Sequence, residues 1–129
     1  MHRTKIQSRF NDADMLGHIN NAVYLSYFDL GKTDYFGALQ CRDYFKEPID
    51  LIIAHVDIDF KAQGTLYEQL EVRSEITQIG EKSMVVHQEV ANSVTGEVKC
   101  VGNTVMVGFD FKNKCTTRIS DQWREVIKK

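Results

Sequence analysis

The residues best able to do chemistry in this 129-residue chain crowd into one stretch, Asn11-Asp12-Ala13-Asp14-Met15-Leu16-Gly17-His18-Ile19-Asn20-Asn21. Two carboxylates, an imidazole and a pair of adjacent amides stand together there. A carboxylate fixed in a partly dry site can act as a general base on water or attack a carbonyl directly. Gly17 lets a ligand approach the backbone. Directly after the stretch comes a helical pattern, and a helix N-terminus offers unpaired N–H groups and a partial positive charge that can stabilise a developing oxyanion. His18 beside that helix start can orient substrate or water, or can hydrogen-bond the loop into shape; the residues alone leave both roles open. Asp, Asn and Gly are also the ordinary residues of turns and caps. A divalent metal on Asp12, Asp14 and His18 is a weaker alternative, because the cluster lacks His-x-x-x-His spacing.

The elements that must position this stretch can be read from periodicity. Over 5–10, Ile6, Ser8 and Phe10 alternate with Gln7 and Arg9, which predicts a short strand before the loop. Asn20 and Asn21 can cap a helix in which Val23, Tyr24, Tyr27, Phe28, Gly31, Tyr35 and Leu39 recur at steps of three and four, leaving Asp29, Lys32 and Asp34 to face water. Alternation then predicts four strands: one over 52–60, two around Leu70-Val72-Ser74-Ile76 and Met84-Val86-Gln88-Val90, and one over 98–111. Gly80-Glu81 and Thr95-Gly96 supply turns, and Ser120 caps a short terminal helix through Trp123, Val126 and Ile127. One strand, one long helix and four strands in succession make an α+β domain, 1–129, with the helix buried on one face of a curled antiparallel sheet. The last long strand carries Val101, Val105, Val107 and Phe109 on one face and Cys100, Met106 and Gly108 on the other, so it is expected to expose an apolar side or edge and to drive self-association.

Composition removes several classes of function. Sixteen Lys and Arg against eighteen Asp and Glu give a net charge of −2, without the basic balance of a nucleic-acid binder. No apolar run approaches the roughly 18 residues of a membrane span, and no signal-like segment follows the first residues. Cys41, Cys100 and Cys115 are odd in number and widely spaced, which argues against a disulfide framework or zinc site and points to the reducing cytoplasm.

The run from Arg9 to Phe28 resembles the D-x-D-x-x-G-H-x-N-N-x-x-Y-L signature of the hydroxybenzoyl-CoA thioesterase-like family. That resemblance implies the hotdog fold and hydrolysis of an acyl-CoA thioester to a free acid and coenzyme A, without a cofactor or metal. It implies Asp14 as the catalytic carboxylate, Asp12 as support, and a backbone N–H near Asn20 or Asn21 polarising the thioester carbonyl. Gly17 and His18 complete the expected catalytic loop. Tyr24 and Tyr27 are expected substrate contacts, with Phe28 beside them, although residues at helical spacing on an apolar face are commonly plain core. Lys82 and Ser83, opening a strand after Gly80-Glu81, are expected to meet the phosphates of coenzyme A. A homodimer or dimer of dimers, hence a homotetramer, is implied as well. Two alternatives stand beside this reading: hydrolysis of acyl groups on acyl carrier protein, and a non-catalytic acyl-CoA-binding domain.

Overall fold

The computed structural model describes residues 1–40 and 49–127. Cys41 therefore lies outside the described residues.

The helix start is built as the residues require. Asn20 stays extended and its side chain accepts the Ala22 N–H at 3.0 Å, launching α1, Asn21–Leu39. Gln40 ends the helix in the left-handed conformation, φ 54°. Tyr24, Tyr27, Phe28 and Gly31 form the buried stripe, and Gly31 has no side chain because a Cβ there would meet Val72 Cγ1 at 2.6 Å. Lys32, expected to face water, is instead buried, with its ammonium 3.2 Å from Asp29.

The helix lies on one face of a six-stranded antiparallel sheet. Its strands are β1 (His2–Ile6), β2 (Ile49–Phe60), β3 (Leu70–Ile79), β4 (Ser83–Asn92), β5 (Val98–Asp110) and β6 (Cys115–Thr117). The order is β1-β3-β4-β5-β2, with β6 continuing the β4 side of β5. This is the expected hotdog architecture, in which a long helix is wrapped by a curved sheet. Two clusters form the core. Ile6, Ile19, Tyr24, Tyr27, Phe28, Leu70, Val72, Val90 and Cys100 fill one end. Ile76, Met84, Val86, Met106, Ile119 and Trp123 fill the other, where α2 (Asp121–Ile127) closes the sheet.

Three expectations need correction. The first strand spans His2–Ile6, earlier than expected, because its register is set by pairing with β3; Phe10 then enters a short 3-10 turn and is exposed. The three-residue β6 follows a turn at Asp110–Lys114 and escapes a periodicity reading because it is too short to show one. The sheet edges, finally, are β1 and β2 rather than the last long strand. β5 is paired on both sides, whereas among the described residues β2 pairs with β5 alone. On β2, Ile53, Val56 and Phe60 remain 50%, 40% and 49% exposed. The helix leans on β1, β3 and β4 and leaves a groove between its flank and β2, floored by β5.

Candidate active site

The loop from Arg9 to Asn20 is folded by its own polar groups. The Asp14 N–H donates to the His18 carbonyl at 2.9 Å and the Gly17 N–H to the Asp14 carbonyl at 3.1 Å. Gly17 takes φ +80°, a conformation that side chains other than glycine rarely adopt. Asp14 Oδ1 accepts the Leu16 N–H at 2.9 Å and the His18 N–H at 3.3 Å, so two backbone donors orient the exposed carboxylate. His18 shapes the loop through its backbone and bridges to Thr65.

Asp12 has a different environment. It is buried, and its carboxylate accepts the Arg9 N–H at 2.9 Å and the Tyr27 hydroxyl at 2.8 Å, with the Arg9 guanidinium at 3.3 Å. Burial alone would raise its pKa, but the Arg9 N–H, the Tyr27 hydroxyl and the Arg9 charge together hold it below the ordinary carboxylate value. Burial and the neighbouring carboxylate push Tyr27 up to about 12, so its hydroxyl stays a donor. Asp12 and Tyr27 thus lock the loop onto the helix. Tyr27, expected as a substrate contact, turns its hydroxyl to Asp12 and is not among the residues that line the cavity beside the helix start.

A cavity of about 560 Å³ opens beside the helix start, lined by Asp14, Ile19, Asn20, Asn21, Tyr24 and Phe60, with the segment from Lys61 to Gln63 opposite. Its backbone donors can be assigned one at a time. The Asn20 N–H is spent on the Asp12 carbonyl at 2.8 Å, the Ala22 N–H on the Asn20 side chain, and the Val23 N–H on the Asn20 carbonyl at 2.9 Å. Among the described residues none accepts from the Asn21 N–H, which leaves it as the donor available at the cavity wall. Tyr24 forms the apolar side, its ring 5.8 Å from that of Phe60, and burial raises its hydroxyl pKa.

The opposite wall was not legible in the sequence. Lys99, 2% exposed, carries its ammonium to the Gln63 carbonyl at 3.0 Å, to Glu68 at 2.6 Å and to Glu97. Burial disfavours its charge, but the two carboxylates outweigh that and raise its pKa. The Ile19 N–H donates to the Gly64 carbonyl at 2.7 Å, so the segment held by Lys99 is fastened directly to the Asp14 loop. Lys61, also missed, places a cation on the cavity wall; its only sequence signal is its position where β2 ends.

Lys82 and Ser83 sit elsewhere. Lys82 precedes and Ser83 begins β4 at the Ile79–Met84 end of the sheet, beside the Trp123 cluster, whereas the cavity adjoins the Leu70–Cys100 end. Within one chain they do not join the site. Nor do Asp12, Asp14 and His18 make a metal centre: among the described residues no three His, Cys, Asp or Glu side chains are grouped to hold an ion.

A helix on a six-stranded antiparallel sheet, with a carboxylate loop at the helix start, defines a thioesterase-type hotdog domain. The chain belongs to the Thioesterase-like superfamily, whose family model matches residues 8–127. It is 23% identical over 129 residues to the long-chain acyl-CoA thioesterase FadM of Escherichia coli, covering 97% of this chain and 96% of that protein. Among solved structures, a predicted thioesterase from Bacillus stearothermophilus superposes with a TM-score of 0.84 at 26% identity, covering 98% of this chain and 92% of the other. A Thermus thermophilus thioesterase complexed with coenzyme A and zinc gives 0.80 at 25% identity, with 98% and 97% covered.

Proposed function

We propose that this protein is an acyl-CoA thioesterase. The observation that carries the reading is that Asp14 and the unspent Asn21 N–H share the wall of one cavity at the start of a buried helix. A thioester carbonyl beside Asn21 meets an N–H donor reinforced by the helix dipole, which stabilises the oxyanion of a tetrahedral intermediate. Asp14 then supplies the carboxylate, either activating water to attack the carbonyl or attacking it to form an anhydride that water opens; on either route the acyl C–S bond breaks and coenzyme A leaves as the thiol. Gly17 and His18 keep that carboxylate in place. The relatives named for acyl-CoA hydrolysis or coenzyme A binding support this choice of carrier. We place the enzyme in the cytoplasm, where free thiols such as those of Cys100 and Cys115 stay reduced. Among the described residues, no helix is long and apolar enough to cross a membrane.

The proposed working unit is at least a homodimer joined through β2. A two-fold pairing of β2 strands satisfies the free edge and covers Ile53, Val56 and Phe60. Because that operation reverses strand direction, the Gly80–Ser83 turn of one copy swings toward the cavity end of the other. Lys82 and Ser83 can meet a coenzyme A phosphate only across that boundary. Light scattering at micromolar concentration should give a mass of at least twice 14.8 kDa; a fully active monomer would rule the arrangement out.

Thiol release from a panel of acyl-CoAs, with the matching acyl carrier protein thioesters as a second arm, tests the activity and the carrier. Lys61→Ala should raise KM for acyl-CoA several-fold with little change in kcat, because a phosphate contact is made equally in ground and transition states. Lys82→Ala should do the same if the subunit boundary is as described. An unchanged KM would return either lysine to the solvated surface.

A further inference from the structure

The proposed thioesterase reading says where the thioester sits but not what the far end of its acyl group meets. A second cavity of about 180 Å³ lies on the same α1–β2 seam, lined by Leu25, Phe28, Ile53 and Val56 together with Asp29, Lys32 and Thr104. The first cavity takes Asn21 and Tyr24 from α1 and Phe60 from β2; the second takes the next two turns of α1 and the next residues back along β2. An acyl group that enters at the helix start and follows the α1–β2 seam reaches this second cavity and, at its far side, Lys32. The helix advances about 1.5 Å per residue, which puts the Lys32 backbone about 16 Å beyond Asn21, and side chains lean back toward the helix N-terminus. That leaves a span suited to a medium-length acyl chain.

Lys32 is out of place in such a groove unless it serves something. It is only 6% exposed, yet a lysine ammonium has three donors, and among the described residues its single partner is Asp29 at 3.2 Å. Asp29 itself is largely exposed and sits on the solvent side of the pair. Lys32 lines the cavity together with the buried Thr104, so an acceptor bound there lies within reach of its ammonium. A purely aliphatic chain end would offer that ammonium no acceptor, which is costly in a buried site.

We infer that Lys32 is a specificity determinant, and that the preferred acyl group is of medium length and carries an oxygen acceptor, a hydroxyl or a carboxylate, at its far end. The probes are octanoyl-CoA, 8-hydroxyoctanoyl-CoA and the CoA thioester of octanedioic acid. The unmodified protein should hydrolyse one or both oxygenated substrates with higher kcat/KM than octanoyl-CoA. Lys32→Met should lower that ratio by roughly ten- to a hundredfold, the scale of a hydrogen bond to a charged group, and should improve octanoyl-CoA. Asp29→Asn, which leaves Lys32 in place and removes the carboxylate charge beside it, should raise the ratio for the dioic substrate; this arm stands even if Lys32→Met fails to fold. A stronger gain with the hydroxyl than with the carboxylate would identify a neutral acceptor, and the reverse an anion. Hydrolysis of octanoyl-CoA with no preference for either oxygenated substrate would overturn the inference while leaving the thioesterase reading intact. Absence of turnover on every acyl thioester would overturn both.

Discussion

Asp14→Asn should reduce kcat for acyl-CoA hydrolysis by roughly 10² to 10⁴ while leaving the fold in place. The amide oxygen can still accept the Leu16 and His18 N–H groups that Asp14 Oδ1 accepts, so the turn survives. What disappears is the charge, and with it the basicity and nucleophilicity that both routes require; loss of a covalent route costs still more. KM should change little, because the Asn21 donor, Tyr24 and Lys61 remain on the cavity wall. Near-normal turnover by a folded Asp14→Asn protein would remove Asp14 from the chemistry and make the loop purely architectural.

Asp12→Asn is the informative companion, because its effect should fall on stability. The carboxylate is buried on Arg9 and Tyr27, and hydrogen bonds to a charged group contribute roughly 1.5–3 kcal/mol. Its pKa is lowered in the folded protein, so the stabilisation is present above the unfolded carboxyl value and is lost as pH falls through the folded one. Urea midpoints measured from pH 7 downward should therefore fall more steeply below about pH 5 for the unmodified protein than for Asp12→Asn. Parallel curves would show that the two substitutions do not divide chemistry from support in this way.

The second large effect is expected in the core. Phe28→Ala should destabilise the protein by about 3–5 kcal/mol, a large part of the total for a domain of this kind. The ring is 2% exposed within the Tyr24–Val72–Cys100 cluster, and β5 accommodates it by having glycine at position 102, where a Cβ would fall 2.7 Å from Phe28 Cε2. Gly102 cannot fill the hole that alanine leaves, and a larger residue there would also strike the Asp57 carbonyl at 2.5 Å. Removal of the ring therefore leaves a cavity rather than a repacked core, lowering Tm by roughly 10–20 °C. The Phe28 carbonyl keeps its bond from Gln88 Nε2, so the loss measures packing alone. A change below about 1 kcal/mol, far under the usual cost of such a truncation, would mean that the helix does not depend on this contact.

Local pattern was enough for the parts of this protein built from neighbours in the chain. The helix from Asn21, the strands around Val72, Val86 and Val105, and the dense loop ending at Asn20 follow from periodicity and capping, because each depends on residues a few positions apart. The hotdog arrangement followed from their order together with the signature through Asp14, Gly17 and His18. Tertiary structure decided what depended on distant segments meeting. Lys32 is polar by type and periodicity put it toward water, yet it is buried beside the groove next to β2. Lys61 and Lys99 reach the site because β2 and β5 pair with Phe60 opposite Cys100, a register that neither strand's own pattern contains. Lys82 has the right chemistry for a phosphate, but the sheet carries it to the other end. Whether β2 or β5 forms an edge of the sheet was equally hidden: strand order is a property of the whole sheet, and both strands are comparably apolar along their length. Which of the Asn20 and Asn21 N–H groups is taken up inside the loop also depended on folding, because it rests on where the Asp12 carbonyl lands once its side chain is fixed by Arg9 and Tyr27.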